Sequence, residues 1–458
     1  MLERMLTYLQ KNLHLDRYDI LKLLFCSGTF FCVIGAYSIL RSFKTSIFLA
    51  FVGPEYEPYA KVLSILVTIP VMLFYAKIID KLKKHRVVYF FLGIYVVLTL
   101  LFAYLFAHPV YGVANTQTSP YRFLGWIFEF FMDLTQALVV GTFWSFVNSI
   151  STPDFANKSY GVIVACSRLG GILTTVISWV ILEKADLGPS LSISVPMVIA
   201  AIFFMAACYC IYTLKRVIPL AHLHGYEAAY QLDRRNERQH KQSGIFEGLR
   251  LVLTEPYVLG IFGLVFSFEV INIIFDYQMH ILMSIENQNQ VHEMSKFMLM
   301  YTGSFQLLSL LFAAFGTSQM IKRFGVQTCL LVMPLMTIFM AVLPILYPKL
   351  VTVFIVMVGL RGLHYGFNYP VREILFIPTT KDIQFKSKAW IDSFGRTASK
   401  TAGSTLNIFA VQAPYFVIVL QSIFSIALAL LWCFIALLVG RKYLKTLNSN
   451  AVIGENES

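Results

Sequence analysis

The stretch KAWIDSFGRTASKTAGS, residues 388–404, lies between a basic, proline-containing segment and a long apolar run, as the start of a membrane span does. Four charged residues recur there at every fourth position, which would keep them on one stripe of an α-helix: Lys388, Asp392, Arg396 and Lys400. A charge at membrane depth costs at least about 2.5 kcal/mol, so such side chains usually face a wet interior. Since Asp392 neutralises one cation at most, we interpret the stripe as an anion-binding surface. In the alternative interpretation, Lys388 lies at the water interface and Asp392–Arg396 is a structural ion pair.

The composition of the chain is that of a polytopic membrane protein. Of its 458 residues, 57% are hydrophobic and only 14% are charged, whereas soluble proteins carry about 25% charged residues. The first apolar run starts near Ile20 and is long enough to span a bilayer, so we expect no cleavable signal peptide. Residues 1–19 include acidic side chains and almost no serine, so we expect no organelle transit peptide either.

The net charge of +12 would suit a nucleic-acid-binding protein, but its distribution indicates another origin. The basic residues concentrate in alternate loops between apolar runs, as the positive-inside rule requires of membrane proteins. We therefore expect no nucleic-acid partner. The seven cysteines all fall in apolar runs, without the spacing of metal ligands or of a disulfide framework, and are expected to pack as small hydrophobic residues.

The apolar runs predict an all-α polytopic membrane protein with about twelve transmembrane helices, each from a run of about twenty residues. The predicted spans are 19–40, 58–78, 87–108, 122–149, 159–182, 191–213, 257–281, 296–318, 326–346, 351–369, 388–410 and 413–440. Clusters of lysine and arginine follow spans two, six, eight and twelve, whereas the loops 109–121 and 282–295 are nearly free of both. Both chain termini are therefore predicted to be cytoplasmic.

The chain is predicted to contain two six-helix halves that echo each other. KIIDKLKKHRVVYFF after span two is similar to QMIKRFGVQTCLLV after span eight, and KSYGVIVACSRLGG in span five has a pattern like that of span eleven. We predict an N-terminal half at 1–213, a cytoplasmic linker at 214–256, a C-terminal half at 257–440 and a cytoplasmic tail at 441–458. Two related halves around a midplane cavity are the plan of a secondary transporter, and the short basic loops resemble those of the major facilitator superfamily.

Further cations lie in or at the ends of the predicted spans. Arg41 and Lys44 are three residues apart on one helix face, and the chain continues apolar after them, which would place them below the membrane surface. Arg168 lies in span five. The alternative for all three is snorkelling of a long side chain to the interface.

Span ten combines polar and aromatic residues with a helix breaker. It holds Arg361, His364 and Tyr365, and Pro370 is expected to break the helix soon after them. Irregular backbone at such depth is tolerated where it lines a cavity or is buried in protein. Span ten is therefore expected to line the substrate path.

Acidic residues are fewer than cations in the spans. Glu129 and Asp133 lie four apart in span four, while Glu269 and Asp276 lie seven apart in span seven with Asn272 between them, so that each set shares a helix face. Each carboxylate could balance a cation, bind a proton or contact a ligand. For any single one of them a structural counter-charge is the simplest role.

Surplus cations beside aromatic side chains suit an organic anion that carries a flat ring. Guanidinium groups bind phosphate through paired hydrogen bonds, lysine adds a point charge, and a base can stack on an aromatic face. The aromatic candidates are Trp144, Tyr277 and Tyr365. The chain carries no phosphate-binding loop or ATP-hydrolysing motif, so a pump or other enzyme is not indicated.

Several stretches resemble the nucleotide transporter family of plastids and obligate intracellular bacteria, the ATP/ADP translocase type. They are YSILRSFKTS in span one, with Thr45 in an acidic place of the family motif, FWSFVNSI with Asn148 in span four, VINIIFDY in span seven, and VREILFIP followed by the span-eleven block. The resemblance implies that Lys44 and Lys400 contact phosphate. The family's carboxylates of spans four and seven would fall at Met132 and Phe275, one residue before Asp133 and Asp276.

We therefore predict a major-facilitator-like transporter that moves purine nucleotides by alternating access, with ATP/ADP exchange as its leading form. The alternatives are a proton-coupled importer of nucleoside triphosphates or NAD-type nucleotides, with Asp133 or Asp276 as the proton site, and a membrane receptor that does not transport. The predicted substrate-binding residues are Arg41, Lys44, Asp133, Asn148, Arg168, Asn272, Asp276, His364, Tyr365, Arg396 and Lys400.

The remaining expectations concern partners and location. We expect no cofactor and no metal ion, a nucleotide substrate such as ATP or ADP, contacts with membrane lipid, and a monomer. The predicted location is a bacterial inner membrane. The alternative is the plasma membrane of an intracellular parasite.

Overall fold

The computed structural model describes residues 16–81, 84–151, 153–184, 187–219, 247–313, 317–376, 378–380, 383, 387–408, 414–449 and 452–454. Across these ranges the backbone is almost wholly helical, and its extended pairing is limited to one bridge between Thr379 and Ile453. The all-α prediction is confirmed.

The helices are numbered in chain order. They are α1 (Arg17–Phe51), α2 (Glu57–Lys81), α3 (Lys84–Ala107), α4 (Phe123–Thr135), α5 (Gly141–Ile150), α6 (Pro153–Lys184), α7 (Gly188–Val217), α8 (Glu247–Thr254), α9 (Pro256–Glu286), α10 (Val291–Leu311), α11 (Thr317–Leu346), α12 (Leu350–Leu363), α13 (Tyr369–Ile374), α14 (Lys388–Trp390), α15 (Arg396–Ile408) and α16 (Pro414–Asn448). Wider, π-helical segments join α4 to α5, α12 to α13 and α14 to α15.

Nine helices within the described ranges are long and apolar enough to cross a membrane. Each of them falls on a predicted span, so the chain is a multi-pass membrane protein. The other three predicted spans, 58–78, 296–318 and 388–410, coincide with α2, α10 and α15, which do not meet that measure. α15 is polar because its sequence is RTASKTAGSTLNI. The count of twelve therefore stays a prediction.

The first helix is longer than predicted. Span one was expected at 19–40, whereas α1 continues to Phe51. Its last turns are apolar and buried, with Phe48 and Phe51 at 1% and 0% exposure. Arg41 and Lys44 therefore lie inside the helix rather than at its end.

Span ten does not break at Pro370, so that prediction is wrong. Residues 350–374 form one candidate span, in which the π-helical segment His364–Asn368 precedes Pro370. A proline clashes with the carbonyl four residues before it in a regular α-helix, and the wider π turn relieves that conflict. The irregularity is a bulge within a continuous helix.

The chain forms two compact units. Unit 1 comprises Met1–Val52, Leu66–Lys241 and Asn289–Gly303, and unit 2 comprises Gly53–Ile65, Gln242–Gln288 and Ser304–Ser458. In unit 1, α1 packs against α6 and α7, while in unit 2, α9 packs against α12, α15 and α16. The predicted boundaries at 213, 256 and 440 stay a prediction, and much of the linker, residues 220–246, lies outside the described residues.

Small residues permit the closest of these helix contacts. A Cβ on Gly170 of α6 would lie 2.3 Å from the backbone oxygen of Phe31 in α1. A Cβ on Gly403 of α15 would lie 3.1 Å from the backbone oxygen of Val270 in α9. Close backbone approach of this kind is the usual way in which membrane helices associate.

Candidate functional site

A buried lysine lies between two carboxylates in unit 1. Lys44 Nζ on α1 is 2.8 Å from Glu129 Oε1 and 2.5 Å from Asp133 Oδ1, both on α4. The Lys44 side chain is 16% exposed and that of Glu129 is 3% exposed. Glu129 and Asp133 are one turn apart, which is why a single ammonium group reaches both. Lys44 and Asp133, which were predicted separately as site residues, thus lie in contact, together with a second carboxylate that the site prediction omitted.

The other predicted residues of unit 1 lie on three helices. Arg41 is half-buried on α1, one turn before Lys44, and Arg168 is half-buried on α6. Asn148 belongs to α5, and its side chain lies outside the described residues. Their assignment to a substrate site stays a prediction.

In unit 2, the predicted residues of α9 meet an arginine from α12. Arg361 NH2 lies 3.0 Å from Asp276 Oδ1, and Arg361 Nε donates a hydrogen bond to Asn272 Oδ1 at 3.2 Å. Lys61 Nζ on α2 lies 3.7 Å from Asp276 Oδ2. All of these side chains except that of Lys61 are less than a tenth exposed. Asp276 is thus a carboxylate shared by two cations.

A second charged group surrounds the start of α15. Arg396 lies 3.7 Å from Glu269 and 3.5 Å from Asp392, as the alternative interpretation of an Asp392–Arg396 pair required. Asp392 also accepts from Arg372 at 3.3 Å. Two further ion pairs of this group join Glu373 to Lys388 and, at 3.8 Å, to Arg372.

The expected stripe through this group is not a regular helix. Residues Ile391–Gly395 are π-helical, and a π turn inserts a residue into the α-helical period. Lys388 consequently pairs with Glu373, while Asp392 is shared by two arginines. Each cation named here has a carboxylate partner.

Lys400 has different surroundings from these cations. It lies on α15, one turn after Arg396, and its side chain is exposed. No ion pair joins it to another residue in the described part of the chain. A substrate anion could therefore bind Lys400 without displacing a described carboxylate.

Aromatic rings lie beside the cations of unit 2. His364 stacks on Phe268 with ring centroids 3.5 Å apart, and its edge contacts Tyr365 at 5.2 Å. The Tyr369 ring lies 4.9 Å from the guanidinium carbon of Arg372 and 5.8 Å from that of Arg396. The sequence analysis selected His364 and Tyr365 but not Tyr369.

The site prediction missed several charged residues that the structure brings together. Glu57, Lys61, His280 and Arg372 were not among the predicted site residues. A signal was present in the sequence for the first two, because Glu57 and Lys61 are four residues apart at the start of predicted span two. His280 likewise follows Asp276 by four residues.

Charge is closely balanced in these groups. The Lys44 group holds one cation and two carboxylates, and the group around α15 holds Arg372, Lys388 and Arg396 with Glu269, Glu373 and Asp392. Buried charges in a membrane protein usually pair with one another in this way. The expected surplus of positive charge therefore lies with other residues, including the exposed Lys400.

The sequence of the chain matches one protein family along almost its whole length. The profile of that family, described as TLC ATP/ADP transporter, matches residues 3–443. The chain belongs to this family. The membership confirms the resemblance found in the sequence.

Relatives in this family are similar to the chain over most of its length. ADP,ATP carrier protein 1 of Rickettsia bellii is 21% identical and covers 95% of this chain and 96% of its own length. ADP,ATP carrier protein 1 of Chlamydia muridarum is 24% identical over 82% of this chain and 79% of its own length.

Solved structures of other transporters have the same fold. The inward-open xylose transporter XylE from E. coli matches 90% of this chain and 94% of its own, with a TM-score of 0.60 at 12% identity. At that identity the likeness concerns the fold alone. The family match and the ADP,ATP carriers among the relatives, rather than this likeness, make the chain a transporter and not an enzyme.

Proposed function

We propose that this protein exchanges ATP for ADP across a membrane by alternating access. The observation that carries the proposal is the family match over residues 3–443, together with an ADP,ATP carrier that aligns over 95% of this chain and 96% of its own length. The buried charged groups agree with a charged substrate, because intramembrane charges are costly and tend to mark substrate pathways.

Candidate phosphate contacts are proposed for each unit by itself. Lys400 offers an exposed ammonium group, and Arg396 one turn earlier offers a guanidinium group. Lys44 is proposed to bind phosphate oxygens in place of the carboxylate oxygens of Glu129 and Asp133. A planar base would stack near His364 and Tyr365, as bases do on aromatic faces.

The other predicted site residues receive supporting roles in this proposal. Arg41 and Arg168 add positive charge in unit 1, and Asn148 adds a hydrogen-bonding amide. Asn272 and Asp276 hold the guanidinium group of Arg361 in place. The chain is proposed to work as a monomer in contact with lipid, in the inner membrane of a bacterium, since its relatives include proteins of Rickettsia and Chlamydia. The alternative location is the plasma membrane of an intracellular parasite.

Uptake into proteoliposomes tests the exchange. Labelled ATP should enter vesicles that contain ADP and should not accumulate in vesicles that contain no nucleotide. Labelled GTP tests the restriction to adenine, and vesicles without protein provide the control. Uptake that is independent of internal nucleotide would contradict exchange.

Proton-coupled import is the second candidate function. It is favoured by the carboxylates at Asp133 and Asp276, each of which contacts a cation and could release it on protonation. An imposed proton gradient would then drive net ATP uptake into empty vesicles. A non-transporting receptor would bind nucleotide but show uptake in neither experiment.

A further inference from the structure

His280 lies in a buried charged cluster of unit 2 that has no part in the proposed phosphate contacts. The cluster comprises Glu57 and Lys61 on α2, Asp276 and His280 on α9, and Arg361 on α12. His280 and Glu57 are only 3% and 5% exposed. A buried histidine between two carboxylates calls for a physical explanation, because burying charged groups is costly.

The hydrogen bonds of His280 determine where its ring hydrogen lies. His280 Nδ1 is 2.8 Å from Glu57 Oε1 and 2.9 Å from Glu57 Oε2. An ionised carboxylate can only accept hydrogen bonds, so Nδ1 carries the hydrogen and donates it. In a neutral imidazole, Nε2 is then an acceptor with a lone pair.

This lone pair faces another acceptor. His280 Nε2 lies 3.5 Å from Asp276 Oδ1, and it makes no hydrogen bond to a residue that the structure describes. Two acceptors at this distance gain nothing from each other. A proton on Nε2 would turn the same contact into a charge-assisted hydrogen bond between an imidazolium and a carboxylate.

The charge of the cluster would respond to that proton. Every element that contributes to the cluster supplies a charged side chain: Glu57 and Lys61 come from α2, Asp276 from α9 and Arg361 from α12. Two carboxylates and two cations balance when His280 is neutral. Protonation gives the cluster one net positive charge, which favours an anion nearby.

Protonation would also change the surroundings of Arg361. Arg361 NH2 and His280 Nε2 both approach Asp276 Oδ1, at 3.0 Å and 3.5 Å. A donor on Nε2 competes with the guanidinium group for this oxygen. Part of the hydrogen-bonding capacity of Arg361 then becomes available to an anion, since a guanidinium group has five N–H donors.

We propose that His280 Nε2 and Asp276 Oδ1 form a proton-binding site whose occupancy controls nucleotide exchange. The Nε2 lone pair forms an N–H bond with a proton taken from water, the ring gains one positive charge, and release reverses the step. The site lies at residues that the sequence analysis did not connect, and its link to nucleotide rests on the proposed function.

The first test is the pH dependence of ATP/ADP exchange in proteoliposomes. Because the protonated cluster favours an anion, exchange by the wild type should rise by about tenfold as the pH falls from about 8 to about 6, as expected when one protonation step controls an active form. The variant His280→Gln keeps a donor for Glu57 but cannot become charged, so its profile should be flat. The matched control His292→Gln removes a histidine of α10 outside the cluster and should keep the wild-type profile.

The second test does not require transport. Thermal unfolding of the purified protein is followed at several pH values for the wild type and His280→Gln. The contact of a protonated His280 Nε2 with Asp276 exists only in the folded protein, so protonation should stabilise the folded state more than the unfolded state. The melting temperature of the wild type relative to the variant should therefore rise by about 2 °C as the pH falls from about 8 to about 6. If His280→Gln does not fold, Asp276→Asn is used instead, since it removes the charged acceptor of the hydrogen bond that the protonated Nε2 donates.

The outcomes separate the two proposals. Nucleotide exchange that loses its pH dependence in His280→Gln, with the corresponding change in melting temperature, supports the proton site. A variant that follows the wild type with pH in both measurements overturns it. Absence of exchange by the wild type overturns the proposed function, while the melting temperatures still decide whether the proton site exists.

Discussion

Lys44 and Lys400 differ in their surroundings at the scale of single residues. Lys44 is held by two carboxylates and is 16% exposed, whereas Lys400 is exposed and has no ion-pair partner in the described part of the chain. Removal of Lys44 leaves Glu129 and Asp133 without their shared cation, whereas removal of Lys400 breaks no described ion pair. The two substitutions are therefore expected to act on different properties of the protein.

Loss of Lys400 should weaken the binding of ATP without affecting folding. A hydrogen bond from a cation to phosphate is worth about 1.5–3 kcal/mol, so Lys400→Gln should reduce ATP affinity about tenfold to a hundredfold. Binding of adenosine, which has no phosphate, should change little. Affinity for both is measured on purified protein, with Lys322→Gln as the control at another exposed lysine.

Lys400→Arg should recover only part of the ATP affinity, because the guanidinium group is larger than the ammonium group and directs its N–H donors differently. Equal losses for ATP and adenosine would indicate a damaged fold. Unchanged ATP affinity in Lys400→Gln would remove this residue from the substrate site.

Loss of Lys44 should destabilise the protein itself. Lys44→Gln leaves Glu129 and Asp133 without their shared cation, and breaking a buried ion pair by removing one partner costs about 3–5 kcal/mol. The melting temperature in detergent should fall accordingly. The double variant Lys44→Gln/Glu129→Gln carries less unpaired buried charge, so its melting temperature should lie between those of Lys44→Gln and the wild type. A Lys44→Gln variant as stable as the wild type would contradict this account.

The sequence located contacts between residues on predicted helix faces but not the partners from distant segments. Lys44, Asp133 and Asp276 were selected because charges in a membrane span are conspicuous, and Asn272 because it lies between Glu269 and Asp276 on one helix face. The hydrogen bonds between Glu57 and His280 join residues 223 positions apart, and helical periodicity carries no information about such pairs. Both residues lie near the ends of predicted spans, where charged residues are common and do not stand out in the sequence.

At the scale of elements, the positions of the helices followed from hydropathy, while their irregularities did not. A π-helical segment occurs directly before Pro370 and another within the span-eleven block. An added residue rotates the following side chains by about 100° about the helix axis, so residues spaced four apart no longer lie on one face across a π-helical segment. The bulges depend on contacts with neighbouring helices, which a pattern of apolar residues does not encode.

The contact between α1 and α6 offers a test with a matched control on one helix. A methyl group on Gly170 would lie 2.3 Å from the backbone oxygen of Phe31, while a Cβ on Gly161 would meet no atom within 4 Å. Gly170→Ala should therefore destabilise the protein by about 1–3 kcal/mol through overpacking. Gly161→Ala should be neutral or slightly stabilising, because alanine is the better helix former by about 1 kcal/mol.

Melting temperatures and expression levels of the two alanine variants provide the measurement. Similar stability of both proteins would contradict the close approach of the two helices at Gly170. A severe loss in Gly161→Ala alone would contradict the open surroundings of that residue.

At the scale of the whole molecule, the distribution of charge predicts the orientation in the membrane. Lysine and arginine are concentrated after predicted spans two, six, eight and twelve, and nearly absent from residues 109–121 and 282–295. Loops with many cations remain on the cytoplasmic side. Both termini and residues 214–256 should then lie in the cytosol, and residues 109–121 on the opposite side.

Single cysteines in a cysteine-free background test this orientation. The seven native cysteines are free thiols, each buried or half-buried, so their replacement removes background labelling. A membrane-impermeant reagent should label Gln117→Cys in intact cells, but His240→Cys and Ser449→Cys only after the membrane is permeabilised. Each variant must retain nucleotide exchange, which excludes misinsertion as the cause of a pattern. Labelling of positions 240 and 449 from opposite sides would require an odd number of crossings between them and would refute six spans in the C-terminal half.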